Sequence, residues 1–510
     1  MSGIFTINVS EARGNVAIPA NIDALACVIG CSSGGAVTSG LSPFYLSATA
    51  AITGIGYGDT ADTLCQIIEQ RQSSGSARKI PACAYVAAVD VDGSFGAFRK
   101  TGTGVTVMSA HTGSKPRGTY EVAILCVAGG TIGVSGVTIK WSLDGGRTYS
   151  RTTSLGTATT FTIPNSGVQV DFTAATIVAG DLFEVRTLAP TPGATDVDNA
   201  FAALAASSTD VGIVVCEFPC DAAMAAHITT GLNTMLAAGK RCTAIIRTRI
   251  PDAETSETDA TWTADIIADY DGFEDSRINV RAAYGLITDA ATTRQYLRSD
   301  LAQWAADVCR VSISDMPNVP ADQAEANFTL VDADGVTIGH DEGVRGAATG
   351  LSDEGQGNRF SSVMRLPDSA RRESVFATVP WVMYAADERI TNLPTRRVVN
   401  ALERVAVSAG TSALGEKLYY TPADPNTPGS TAMLTEASRN ALHGVIFGAL
   451  SAQFGPHIQN ANDAAVDTGL VQVDPVVTVS GGNLLTVSVT IAPRVFGYLL
   501  NLNIILAVQQ

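Results

Sequence analysis

Charge is scarce in this sequence, and positive charge is scarcer still. Of 510 residues 16% are charged, with 33 Lys and Arg set against 49 Asp and Glu, for a formal charge of −16. That balance argues against a nucleic-acid groove or an anionic membrane surface as the main partner, because both demand basic surface. Lysine occurs only at positions 79, 100, 115, 140, 240 and 417, so nearly all positive charge is arginine. Arginine suits fixed interfacial ion pairs better than solvated charge, although genomic base composition produces the same skew.

Long apolar runs are also missing. The best candidate, Val495 to Val508, is short and holds Asn501 and Asn503, so it does not read as a membrane-spanning helix. Ile4 and Phe5 lack a basic stretch before them, and Ser10-Glu11-Ala12-Arg13 follows at once, so no signal peptide is indicated. Yet mean hydropathy is positive. The surplus apolar surface must be buried in large cores or in contacts between subunits, and subunit contacts are the expectation. At this length two to four domains are expected.

Cysteine is present without a pairing pattern. The nine cysteines are odd in number and scattered, mostly inside apolar runs such as Leu25-Ala26-Cys27-Val28-Ile29. They read as reduced, buried small hydrophobes in a reducing cytoplasm. Cys27/Cys31 and Cys216/Cys220 have C-x3-C spacing with no matching second half, which argues against zinc.

What the chain does have is alternation at both ends. Phe5, Ile7 and Val9 alternate with Thr6, Asn8 and Ser10. Val471 to Val479 leads through Gly481-Gly482-Asn483 into Leu484 to Ile491, which reads as a hairpin, and Leu500, Leu502, Ile504, Leu506 and Val508 then share one face. Exposed strands of this kind offer unpaired backbone donors and acceptors. They are expected to pair with another copy or a partner.

Between the ends, helix and strand signals alternate. Strands are expected at Ala24 to Gly30, Ala84 to Val89, Gly212 to Cys216, Cys242 to Thr248, Ile278 to Leu286 and Arg310 to Ser314. Helices are expected at Asp59 to Arg71, around Phe201 and Leu204, at Ala222 to Ala238, Ala264 to Tyr270 and Thr293 to Val308. Such alternation predicts parallel strands with crossover helices. From about Phe98 to Pro190 the texture turns to Thr, Val, Gly and Ser without helical periodicity, an all-β insertion on the surface that a short Gly/Ser linker should be able to replace. Farther on, a hairpin is expected from Phe328 to Ile338, and helices at Pro394 to Ala409 and Thr435 to Phe454.

Motifs that could carry chemistry each have a plainer account. Ser142-Leu143-Asp144-Gly145-Gly146-Arg147-Thr148-Tyr149 matches the S-x-D-x-G-x-T-[WY] Asp-box, a hairpin turn in which Asp and Ser bond backbone amides; a glycosidase would need further copies at blade period. Gly30-Cys31-Ser32-Ser33-Gly34 matches G-x-S-x-G, but Gly35, Gly40 and Pro43 break the helix a nucleophile elbow needs. Gly54-Ile55-Gly56-Tyr57-Gly58 is a lone glycine run with no Walker lysine. Asp332, Asp334, Asp341 and Glu342 beside His340 lack the twelve-residue calcium-loop spacing. His111, His227, His340, His443 and His457 show no HExxH pairing. No catalytic set, metal or cofactor is expected, so the chain reads as a structural protein and not as an enzyme.

In Thr395-Arg396-Arg397-Val398-Val399-Asn400-Ala401, in Ala492-Pro493 before the final strand, and in the loop from His340-Asp341-Glu342-Gly343 to Asn358-Arg359-Phe360, the chain resembles the contractile phage tail sheath proteins and their relatives in tailocins and type VI secretion. The segment Trp141 to Gly146 looks like part of the outer domain that some phage sheaths carry. The resemblance implies an α/β core with a mixed, largely parallel sheet (23–97 and 191–325), an inserted β-rich outer domain (98–190), a C-terminal α+β domain (326–493) and strand arms at 1–22 and 494–510. It implies hexameric rings stacked as a helical polymer, assembled in a bacterial host cytoplasm around an inner tail tube, which contracts to drive that tube through the envelope. Partners would be further copies, the tube protein, baseplate and tail terminator, with no nucleic acid and no membrane insertion. Phe5, Ile7, Val9, Leu500, Leu502, Ile504 and Leu506 would pair strands between subunits, and Arg396, Arg397 and Arg404 would face the tube unless they form ion pairs within the subunit. The alternatives are a non-contractile virion structural protein and an Asp-box carbohydrate-active enzyme.

Overall fold

The computed structural model describes residues 22–69, 80–208, 210–252, 257–288, 292, 294–311, 328–329, 351, 359–367, 373–377, 380–384, 390–414, 419–421, 432–458, 471–480, 484–491, 494–495, 498–499 and 502–509. Phe5, Ile7, Val9, Leu500 and the acidic loop with Asp332, Asp334, His340, Asp341 and Glu342 lie outside these residues.

A six-stranded sheet organises the core, in the order Ile278–Arg281, Thr243–Arg247, Ile213–Pro219, Ala26–Gly30, Ala82–Val86 and Gly40–Leu41. The first five run parallel, with Cys27 opposite Val214 on one side and Cys83 on the other, and the short sixth strand is antiparallel. Ala26–Gly30 is buried at every position, which is why its sequence is a continuous apolar run with no alternation.

Helices cover both faces. Helix α1 (Ala48–Ile55) is capped by Ser47, whose hydroxyl accepts from the Ala50 amide at 3.3 Å, and α2 (Asp59–Glu69) follows. Helix α3 (Ala194–Ala206) precedes α4 (Ala222–Ala237), where Asp221 accepts from the Met224 amide at 2.8 Å. Helix α5 (Asp259–Asp269) is capped by Thr258, and α6 (Leu301–Arg310) closes the series. Phe201, Ile228, Leu232, Trp262 and Ile266 fill the layer under α3, α4 and α5. Ile55, Leu64, Ile67, Trp304 and Val308 fill the opposite layer under α1, α2 and α6. Crossover helices on both faces are what parallel strands require.

Three expectations change here. The run Ile278 to Leu286 is two strands, because the chain leaves the parallel sheet after Arg281 and Tyr284–Thr288 pairs antiparallel with Gln295–Ser299. The expected helix Thr293 to Val308 therefore begins with a strand, and only Leu301–Arg310 is helical. Of the expected strand Arg310 to Ser314, Arg310 is the last residue of α6, where it pairs with Asp307 three residues earlier, and residues 312–314 lie outside the described ones.

Between Ala82–Val86 and α3 the chain builds strands alone. One sheet runs Thr153–Ser154, Thr138–Ser142, Glu121–Ala128, Leu182–Leu188 and Ser94–Phe95, and a second runs Thr160–Thr162, Gln169–Phe172 and Met108–Ala110. Both feed one core: Val122, Ile124, Ile139 and Phe183 from the first meet Met108, Val170 and Phe172 from the second. Phe172 meets Phe183 edge-on at 5.4 Å.

Past the core, α7 (Leu393–Leu414) and α8 (Glu436–Ile458) pack on each other. A five-stranded sheet accompanies them, in the order Tyr420–Thr421, Ala432–Leu434, Val471–Ser480, Leu484–Ile491 and Leu502–Gln509.

Candidate functional site

Doubly wound sheets bind ligands in the crevice beyond the carboxyl ends of their strands, where the strand order reverses. That point lies here between Ala26–Gly30 and Ile213–Pro219, and the protein's own side chains fill it. The Thr60 hydroxyl donates to the Cys31 carbonyl at 2.9 Å, and a Cβ on Gly30 would come within 2.3 Å of that hydroxyl. Glu217 accepts from Thr63 Oγ1 at 2.6 Å and from Arg247 Nε at 3.0 Å. Burial pushes the Glu217 carboxyl above its usual range, against the opposing pull of Arg247. Alongside, Asp59 accepts from the Thr119 amide at 2.9 Å and the Thr119 hydroxyl at 2.8 Å, while Arg298 Nη1 stands 3.0 Å from Asp62 Oδ2 and 3.8 Å from Asp59 Oδ1. Every group here is held by another group of the same chain. A groove of about 550 Å³ near α1, lined by residues including Val37, Pro43, Tyr45 and Thr53, holds no acid, base or cation.

The motifs take structural roles. Ser142 Oγ donates to Asp144 Oδ1 at 2.6 Å and accepts from the Gly146 amide at 2.9 Å. Asp144 accepts from the Thr148 amide at 2.8 Å and the Thr148 hydroxyl at 2.6 Å, and it is fully buried. The Asp-box is thus a turn whose polar groups satisfy one another. Ser32 donates to the Ile55 carbonyl, and Ser33–Gly34 is a strand paired with Gly56–Tyr57, so no helix follows the G-x-S-x-G run. Gly34 and Gly56 hold φ of +92° and +91°, the backbone that these turns need glycine for.

All nine cysteines are free and buried. Burial pushes Cys31 and Cys242 up to about 12, which keeps the thiols protonated and unreactive. His111 pairs with Asp171 at 2.9 Å, His227 with Asp198 at 3.2 Å, and His443 stacks on Phe447 with centroids 5.8 Å apart. Among the described residues no three His, Cys, Asp or Glu side chains are grouped to hold a metal.

Two features bear on assembly. The first is the strand Leu502–Gln509, which forms one margin of the terminal sheet. It pairs antiparallel with Leu484–Ile491, from Leu484 opposite Gln509 to Ile491 opposite Leu502, so Leu502, Ile504 and Leu506 face Ile491, Val489 and Val487 in register. Among the described residues its other side carries no strand. The second is α7. Arg397 is 2% exposed and donates to the Asp23 carbonyl at 3.2 Å; Arg404 pairs with Asp23 and donates to the Arg241 carbonyl at 3.3 Å. Burial lowers Arg404 to about 10. These two arginines bind their own chain rather than facing outward, and Arg396 is half-buried. Beside them Asn400 Nδ2 donates to Thr243 Oγ1 at 3.1 Å and Glu403 pairs with Arg241, so α7 is fixed to the amino-terminal side of the core sheet. By contrast, after the exposed Glu436 at its start, α8 exposes Ala437, Ala441, Gly444, Val445, Gly448 and Ala452, a stripe without charge.

Sequence reasoning missed the Asp59–Thr119–Arg298 cluster, in which Thr119 lies 60 residues from Asp59 and Arg298 lies 236 from Asp62. The only signal was two acids in the first turn of α2, which reads equally well as an ordinary helix start.

Fold and site together define an α/β protein with a doubly wound core, a β insertion and a strand-edged terminal sheet. The chain belongs to the DUF2586 family, whose "DUF2586, N-terminal domain" description matches residues 4–340. It is also similar, at 13% identity, to a chain of the anti-feeding prophage baseplate, covering 60% of this chain and 72% of that one with a TM-score of 0.34. A chain of the sheath complex of an extracellular contractile injection system in its contracted state is similar at 14% identity, covering 63% and 75% with a TM-score of 0.35. No curated protein matches the chain. No helix of the described residues is long and apolar enough to cross a membrane.

Proposed function

We propose that this chain is a structural subunit of a contractile tail sheath, polymerising around an inner tube in the bacterial cytoplasm and performing no reaction of its own. The observation that carries the reading is the strand Leu502–Gln509, an eight-residue margin whose second side no described strand covers. Backbone groups along such a margin are a template for a strand from another chain. The sequence resemblance to sheath proteins supplies the kind of polymer. The expected work comes from exchanging subunit packings, with strand pairing kept.

In this reading α8, and not α7, offers the surface to the tube, because Arg397 and Arg404 are committed to Asp23 while α8 leaves its small uncharged face open. Electron microscopy of the purified full chain should show long hollow cylinders, and truncation after residue 499 should abolish them while far-UV circular dichroism keeps the core signal. Monodisperse particles from the full chain, or normal cylinders from the truncated one, would refute the proposal.

A further inference from the structure

We propose that the inserted β domain and the α/β core form one cooperative body, locked at Asp59, and that the insertion is not a detachable decoration. This goes beyond the assembly reading and does not rest on it. Three separate stretches of chain converge on one carboxylate. Asp59 stands at the amino end of α2 and is 3% exposed. From the insertion, Thr119 gives it an amide and a hydroxyl, one to each oxygen. From the hairpin that follows the core sheet, Arg298 brings a guanidinium that also holds Asp62.

Aromatic rings and guanidinium groups pack closely around that carboxylate. The Arg298 guanidinium lies 4.4 Å over the Tyr296 ring, and Tyr296 meets Tyr120 at 6.0 Å and is buried in the core of the insertion. Arg294, on the same hairpin, lies 5.5 Å from the ring of Trp141. Two glycines set the spacing: a Cβ on Gly118 would be 2.7 Å from Asp59 Oδ1, and one on Gly58 would be 2.3 Å from the Arg117 carbonyl. The Gly118 carbonyl in turn accepts from Thr187 Oγ1 at 2.8 Å, which ties the loop to the Leu182–Leu188 strand.

The two linkers pair at Val91 and Thr191, with residues 88–92 exposed, so the hold on the insertion lies beside them, in a buried carboxylate with its donors and a ring pair. Removing the insertion would strip Asp59 of Thr119 and uncover Tyr296. Any rotation of the core then carries the insertion with it.

Hydrogen exchange of the full chain across a urea series tests this, comparing the insertion strand Glu121–Ala128 with the core strand Ile213–Pro219. The wild type should open both at one midpoint. Asp59→Ala should move the insertion midpoint below that of the core, Thr119→Ser should keep them together, and Ile228→Val, which thins the core far from the lock, should lower both equally. Should Asp59→Ala fail to fold, Thr119→Ala is read in the same way. Separate midpoints in the wild type, or coincident midpoints in the Asp59 or Thr119 alanine variant, would overturn the lock.

Discussion

Removing the carboxylate of Asp300 should be among the most damaging single changes in this protein, and its size follows from the burial of its partner. Arg281 and Asp300 are both completely buried. Arg281 Nε reaches the two Asp300 oxygens at 2.9 and 3.0 Å, Nη2 binds the second oxygen, and Nη1 donates to the Ser362 carbonyl at 2.7 Å. The guanidinium also lies 4.6 Å from the Trp304 ring. Asp300→Ala leaves that cation in the interior without its counter-charge, which costs about 3–5 kcal/mol. Set against a native stability of about 5–15 kcal/mol, that is a large share of the total. The effect should reach beyond the pair, because Asn279 Nδ2 donates to Ser361 Oγ at 2.6 Å and accepts at Oδ1 from Trp304 Nε1 at 2.9 Å on the same seam. Urea unfolding followed by circular dichroism gives the loss. Replacing both charges, with Arg281→Met and Asp300→Leu, should recover most of it, since desolvation then disappears with the pair. A loss under about 1 kcal/mol for Asp300→Ala, or a double variant no better than the single, would refute the reasoning.

Two further outcomes can be checked with smaller perturbations. Asp144→Ala leaves the buried Ser142 hydroxyl without its acceptor and should cost about 1–3 kcal/mol, read as a lower urea midpoint in tryptophan emission; an unchanged midpoint would mean that the turn holds without its carboxylate. Asp307 is raised to about 6 by burial, against the opposing charge of Arg310. Its neutral form is favoured in the folded state, so its stabilisation is fully present below the ordinary carboxylate range and is lost as pH rises through about 6. Asp307→Asn should therefore flatten the slope of stability against pH between about 4 and about 6; a slope as steep as that of the wild type would assign it to another group.

How much was legible depended on how local the physics was. The sequence by itself determined the α/β core. Runs such as Ala26 to Gly30 are apolar because both sheet faces are covered, and α4 was readable to within a residue because Asp221 caps it and Gly239 follows it. The terminal hairpin was readable from its Gly-Gly-Asn turn, and the Asp-box from its spacing, since each is closed by bonds within a few residues. Tertiary structure decided what those elements meet. Gln295 to Ser299 looked helical because Tyr296 packs into the insertion while Leu297 packs into the core, so both faces of a strand are buried and the alternation vanishes. The sequence left open whether the arginines of α7 face outward or bind within the chain, because nothing near them predicts that Arg397 and Arg404 meet Asp23, more than 370 residues away. Asp59 was invisible for the same reason. A buried ion pair leaves no periodicity, and its partners are chosen by how distant segments pack.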